Sequence, residues 1–361
     1  MGIEFWTLAI AIVTAVSCAI CGVLLIVNRE AMVSEGLSHA VLPGIILAFI
    51  MIRDRSSPLL ILSAGGAGLL MVLLVQAIQR TRLVKDDASL GIVFPALFSI
   101  GIVMASRELG NTHFHAHCII DGNLALAPLD RWTIGGTDVG PSPFYAMAGV
   151  LLIVIGFIWL LFKELKLMVF DAGLSRSLGF RPALLHIVWL GLVSMTTVSA
   201  FETAGSILVV ALMITPPAAA YLLTDDLKKM LGISAALGIA SAVGGFYLGL
   251  WLDVAPTGPM SSVSGAIFLV VLFVAPRRGL LARRRRRTAQ QRDLQEHLVL
   301  AQLATGPRTT TELAELLPWA AADRTRAVDR AVRDGLASSS GTELVLTDAG
   351  MGRLEAVRAP R

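Results

Sequence analysis

The chain has 361 residues, 55% of them hydrophobic and 16% charged, with a net charge of +4 and a mean hydropathy of +0.73. So much apolar surface cannot be hidden in the core of a water-soluble globule. Composition therefore excludes an ordinary soluble enzyme or binding domain and points to an all-α polytopic membrane protein.

A bilayer core of ~30 Å takes about 20 apolar helical residues. Windows of this kind are predicted at 5–27, 38–52, 58–78, 88–106, 144–163, 184–200, 204–223, 231–250 and 260–275. They make eight or nine transmembrane helices, because the second and sixth are short enough to be broken or re-entrant; nine is the preferred count. The first window lacks a basic leader and a small-residue cleavage site, so it is expected to stay in place as a span. Cys18 and Cys21 inside it read as small core residues.

The second window is entered through "AMVSEGLSHAVLPGIILAFIM" (31–51), which puts Glu35 and His39 at i, i+4 on one helical face. An ionisable group within a span is costly unless it faces a cavity or a partner. A carboxylate oxygen with an imidazole nitrogen suits manganese, iron or zinc ions better than calcium or copper(I). The residues alone equally allow an interfacial Glu35 and a His39 that bonds a backbone carbonyl. Pro43 removes a helical hydrogen bond, and with Gly44 it is expected to break the helix beside His39, a geometry suited to a wet path.

Beyond the fourth window, "NTHFHAHC" places His113, His115 and His117 at alternate positions. An extended strand would present all three together as a metal-capturing patch, and a polar loop is the other reading. Asp121, Glu202 and Asp253 fall near span ends and read as interfacial, while His186, at the start of a span, reads as structural. The stretch "FDAGLSRSLGFRPALLH" (170–186) predicts a short helix from Asp171, with Leu174, Leu178 and the Gly179–Phe180 end on one side. Arg176 and Arg181 remain for polar contacts. Such a helix suits a groove on a partner.

Charge is segregated along the chain. Residues 1–276, the expected transmembrane domain, hold 14 Lys/Arg and 16 Asp/Glu. Residues 277–287 hold seven arginines and no acid, a basic juxtamembrane linker that places the C-terminus in the cytoplasm. Alternation then puts 80–85, 163–181 and 228–229 inside and 107–143 outside, with the N-terminus outside for nine spans. Residues 288–361 are amphipathic: a short helix after Thr311, a second from Ala321 to Asp334, a hairpin in "SSSGTELVLTDAG" and a last helix. That order resembles a small soluble winged helix-turn-helix α+β domain. With nine basic and ten acidic residues it lacks the footprint of a DNA binder, so a regulatory or subunit-contact role is expected and DNA is not.

Four stretches in one order carry a family resemblance. "SEGLSHAVLPGIILAF" (34–49), "TRLVKDDASLGIVFPALFSIGIV" (81–103), the 170–186 stretch and "ETAGSILVVALMITPPAAAYLLTDDLKKML" (202–231) resemble the permease subunits of manganese/zinc/iron-type ABC importers. The resemblance covers about residues 5–276. It implies a bacterial inner-membrane permease that pairs with itself or a related chain, with a cytoplasmic ATPase subunit and an extracytoplasmic metal-binding protein. It implies that His39 and the acid one turn earlier, Glu35, lie on the metal path; many members carry Asp there. The 170–186 stretch would be the segment that couples to the ATPase. The chain has no Walker A pattern, so it is not expected to be an enzyme, and ATP hydrolysis belongs to a partner. No permanently bound cofactor is implied; manganese, zinc or iron is cargo. A reading from another class is a membrane-bound sensor of metal or transport state that signals through its C-terminal domain.

Overall fold

The computed structural model describes residues 2–52, 58–84, 86–108, 124–134, 137–170, 172–276, 278–317, 319–340 and 343–358. Contacts divide the chain into two units, Met1–Ala275 and Pro276–Arg361.

Among the described residues of the first unit, nine helical stretches are long and apolar enough to cross a membrane. They are built from α1 (Ile3–Val27), α2 (Ala31–Ala40) with α3 (Leu42–Ile52), α4 (Pro58–Arg80), α5 (Asp86–Glu108), α6 (Ser142–Leu160), α9 (Pro182–Ala204), α10 (Ser206–Leu223), α11 (Leu227–Leu252) and α12 (Thr257–Val274). Between α5 and α6 lies a hairpin of β1 (Arg131–Ile134) and β2 (Thr137–Pro141); between α6 and α9 lie the short helices α7 (Phe162–Phe170) and α8 (Ala172–Ser177).

Two spans differ from expectation. The second begins at Ala31, not residue 38, because its polar lead-in is already helical, and the 22-residue crossing therefore includes Glu35 and His39. The sixth is an unbroken helix of 23 residues.

Side-chain contacts confirm that successive helices run in alternating directions. Trp6, at the start of α1, packs on Phe144 at the start of α6, with ring centroids 5.5 Å apart. At the other end Glu30, just after α1, meets His186 near the start of α9 at 2.9 Å. There, too, Lys228 at the start of α11 sits 5.3 Å above the Phe162 ring. The end holding Glu30, Arg80, Phe162–Phe170 and Lys228 is called the basic end below.

Small residues bring the helices close. A Cβ on Gly22 of α1 would run into the carbonyl of Met213 in α10, and one on Gly44 of α3 would stand 2.5 Å from the Ser63 carbonyl oxygen in α4. With no hydrophobic drive between helices in lipid, such backbone approach is a main source of cohesion. Cys18 and Cys21 are fully buried core residues, and Cys21 Sγ lies 3.4 Å from Thr196 Oγ1.

The second unit has its own core around Val299, Leu300, Leu313, Ala327, Ala331 and Leu344. Its elements are α13 (Leu280–Leu303), β3 (Arg308–Thr309), α14 (Thr310–Leu316), α15 (Ala321–Arg333), β4 (Ala337–Ser340), β5 (Glu343–Leu346) and α16 (Asp348–Arg358). The strands form an antiparallel sheet in the order β3-β5-β4. The arginine run 283–287 is helical and forms the first turns of α13. Helix α14 starts two residues before the expected point, because Thr309 and Glu312 form a reciprocal capping box.

Candidate functional site

Glu35 and His39 lie one turn apart on α2, and that helix stops one residue after His39. Pro43 stands second in α3 and has no N–H to give. The carbonyl four residues back, that of His39 itself, therefore loses its α-helical donor. Val41 joins the two helices in a right-handed helical conformation: its N–H bonds Leu37 at 3.3 Å, and its carbonyl accepts from Ile45 at 3.1 Å. Gly44 has a different task from the break. It lets α3 lie against α4 at Ser63 and Ala67.

The His39 ring is half-buried against α5. It stacks at 27° on Phe94, with centroids 5.9 Å apart, and meets Phe98 edge-on at 5.4 Å. Two aromatic walls hold the ring plane and leave its nitrogens as the polar edge. Glu35 is exposed on the same face. A carboxylate and a fixed imidazole four residues apart can engage one divalent ion together. Among the described residues, no three of His, Cys, Asp and Glu converge, so this pair supplies only part of a coordination shell.

His113, His115, His117 and Asp121 lie outside the described residues, as does Asp171. Glu202 is exposed in the last turn of α9, and Asp253 caps α11 in a left-handed conformation; both sit at the end away from the basic one.

At the basic end, α8 carries the expected apolar side. Leu174 is 46% exposed and Leu178 57%, with Phe170 and Phe180 also open to solvent. Gly179 adopts φ +84, and the N–H groups of Gly179 and Phe180 bond the carbonyls of Arg176 and Ser175. This doubly bonded left-handed turn closes the helix and needs a residue without Cβ. Arg176 is exposed in the last turn of α8.

Sequence reasoning passed over Glu30. It lines a cavity of ≈ 580 Å³ at the basic end together with Asn28, Gln76, Gln79, Met71 and His186. Its Oε2 lies 2.9 Å from His186 Nε2, and Gln76 Nε2 lies 3.4 Å from His186 Nδ1. The partners are 156 residues apart in the chain, so nothing local in the sequence announces the pair.

Residues 3–275 match the model of the ABC 3 transport family. The chain is 35% identical to the manganese transport system membrane protein MntD of Bacillus subtilis, over 81% of this chain and 99% of that one. It is 36% identical to the zinc transport system membrane protein TroD of Treponema pallidum, over 96% of both chains. The second unit thus has a counterpart in the zinc relative, whereas the manganese relative is matched almost end to end without most of it. Among solved structures, PsaBC from Streptococcus pneumoniae in complex with Fab is similar, with a TM-score of 0.64 and 26% identity, over 77% of this chain and 94% of that one.

Proposed function

The chain belongs to the ABC 3 transport family, and on that premise we propose that Glu35 and His39 line the path of the ion it moves. The protein is the membrane permease of an ATP-binding cassette transporter for manganese, zinc or iron ions. ATP hydrolysis falls to a separate subunit, and an extracytoplasmic metal-binding protein delivers the cargo.

The observation that carries this reading is the broken second span. Glu35 and His39 share one exposed face just before the break, with the imidazole clamped between Phe94 and Phe98. Two donors hold a divalent ion more weakly than the four or more of a resident site. Water and a second permease packed over this face complete the shell, and such loose binding lets an ion leave as well as enter.

Charge supports an orientation with the basic end in the cytoplasm. Among the described residues of the first unit, nine Lys/Arg fall at that end and two at the other, before the seven arginines of 277–287 are added. The exposed Leu174 of α8 and Leu178 just after it then face the compartment that holds ATP, where they would seat in the ATPase subunit. The second unit, with its β3-β5-β4 sheet and its α14–α15 pair, is read as a winged-helix-like module for regulation or subunit contact.

The test is uptake of manganese, zinc and iron by cells carrying the complete transporter, wild type against His39→Ala at equal membrane levels. Loss of uptake of one metal by tenfold or more identifies the cargo and places His39 on its path. Equal uptake of all three by both forms would sink the assignment of His39.

A further inference from the structure

The pair at Glu30 and His186 lies at the opposite end of α2 from His39. Glu30 is the residue just before α2, and its side chain turns to His186 on α9, whereas His39, in the last turn of α2, packs on Phe94 and Phe98 of α5. Along the axis Glu30 and His39 are separated by roughly 13 Å at 1.5 Å per residue. The cavity at Glu30 is lined by Met32 and Val33 from the first turn of α2, whereas Glu35 and His39 stand further along the helix and do not line it.

What aims Glu30 is the way α1 ends. Arg29 takes a left-handed φ of +64; its N–H bonds the Ile26 carbonyl, and the N–H of Glu30 reaches back to Leu25 at 2.7 Å. This double bond closes α1, and the Glu30 carbonyl then accepts from Val33 to open α2. Held between two helix ends, the Glu30 side chain reaches across to α9. Although Arg29 is its chain neighbour and lines the same cavity, the carboxylate pairs with the imidazole.

We propose that Glu30 and His186, with Gln76 behind the imidazole, form a second divalent transition-metal site at the basic end of the permease, distinct from the pair on its transport face. This rests on the reading of the protein as a metal permease. Three observations support it.

The first is spacing. Two cis ligands at ~2.1 Å from one ion stand roughly 3.0–3.4 Å apart, and Glu30 Oε2 and His186 Nε2 are 2.9 Å apart. Metal entry widens the pair by tenths of an ångström and turns the ring so that Nε2 faces the ion instead of the carboxylate oxygen.

The second is the partner of the other ring nitrogen. A metal-bound imidazole nearly always donates its second N–H to an oxygen acceptor. Gln76 is positioned at Nδ1, 3.4 Å away. With the carboxamide nitrogen facing Nδ1, the ring proton sits on Nε2 and is donated to Glu30. Turning that amide by half a revolution presents Oε1, the proton moves to Nδ1 and is donated there, and the Nε2 lone pair is freed for the ion.

The third is access and supply of donors. Side-chain exposures of 22% for His186 and 30% for Glu30 leave the pair reachable from the cavity. Asn28 also lines the cavity, and water would complete the shell. An oxygen-rich shell with one imidazole suits manganese, iron, cobalt or zinc ions.

An ion there ties the start of α2, the helix that carries Glu35 and His39, to α9 and α4. Filled from the basic side, the site makes the position of α2 depend on the metal level in that compartment.

The experiment is a cobalt(II) titration of the purified full-length chain in lipid nanodiscs, read by d–d absorption and by bound metal after dialysis. It is done in a His39→Ala background that also carries His113→Ala, His115→Ala and His117→Ala, so that neither the transport-face pair nor the alternate histidines contribute. One tightly bound cobalt per chain is expected. Adding Glu30→Gln, which keeps size and hydrogen bonding, is expected to weaken it by tenfold or more, and His186→Ala likewise. Gln76→Glu is expected to tighten it by about tenfold, a gain that misfolding cannot mimic. No cobalt bound in this background, unchanged affinity in Glu30→Gln, or unchanged or weaker affinity in Gln76→Glu overturns the proposal. None of these outcomes touches the uptake result for His39, so the two assignments fail independently.

Discussion

Gly44 shows how little room the second span leaves for change. An added Cβ would stand 2.5 Å from the Ser63 carbonyl oxygen and 2.7 Å from the Ala67 Cβ, both on the neighbouring helix backbone or its first side-chain atom, which cannot swing aside. Gly44→Ala is expected to cost on the order of 1–3 kcal/mol through forced separation of α3 from α4. Gly65→Ala, in the next helix, meets nothing within 4 Å and gains helix propensity of about 1 kcal/mol. Thermal unfolding of the two purified variants in one detergent should move in opposite directions from wild type; a Gly44→Ala midpoint equal to wild type would show that the α3–α4 packing is looser than it looks. At this scale the sequence is legible where the physics is local. Glu35 and His39 are visible at i, i+4, and Pro43 announces the missing donor opposite the His39 carbonyl. The aromatic clamp on His39 is not visible, because Phe94 and Phe98 arrive from α5, and the Glu30–His186 pair hides across 156 residues of chain.

Helix α8 is too short, at six residues, to be stable by propensity alone, and its definition comes from the Gly179 turn and from the helices on either side. Its apolar side is nevertheless open: Leu174 and Leu178 are about half exposed, as large side chains in a transporter rarely are without a protein or lipid neighbour. Since about half of each side chain is already covered, seating each in a partner groove contributes roughly 1 kcal/mol. Leu174→Asp with Leu178→Asp removes that gain and adds a desolvation cost. Metal uptake should fall by at least tenfold, with membrane level and thermal midpoint unchanged because neither side chain supports the permease core. Normal uptake in the double variant would remove α8 as the coupling element. The sequence showed this helix through its alternation of Leu, Arg and Gly, and missed the start of the second span for a related reason. A window chosen by hydropathy begins where the apolar run begins, whereas the helix begins at Ala31, where the turn after α1 ends.

The whole chain is two cores in series, and this decides what its C-terminal unit is for. Val299, Leu300, Leu313, Ala331 and Leu344 form a cluster separate from the core around α1, α9 and α10, so neither cluster needs the other's side chains to be buried. Removing residues 288–361 leaves all nine candidate spans among the described residues and the whole basic run 277–287 that follows the last of them. If the protein is first a permease, the truncated chain keeps membrane level and metal uptake within about twofold of wild type, because the broken span, the Glu35–His39 face and α8 are all retained. If it is first a sensor that signals through the C-terminal unit, truncation abolishes the metal-dependent output while the α8 double variant preserves it. Transport and output measured on the same two variants separate these readings, since each predicts loss in one variant and survival in the other. The architecture favours the permease. Glu35, His39 and α8 all lie in the first unit, and the second is a near-neutral unit with a core of its own.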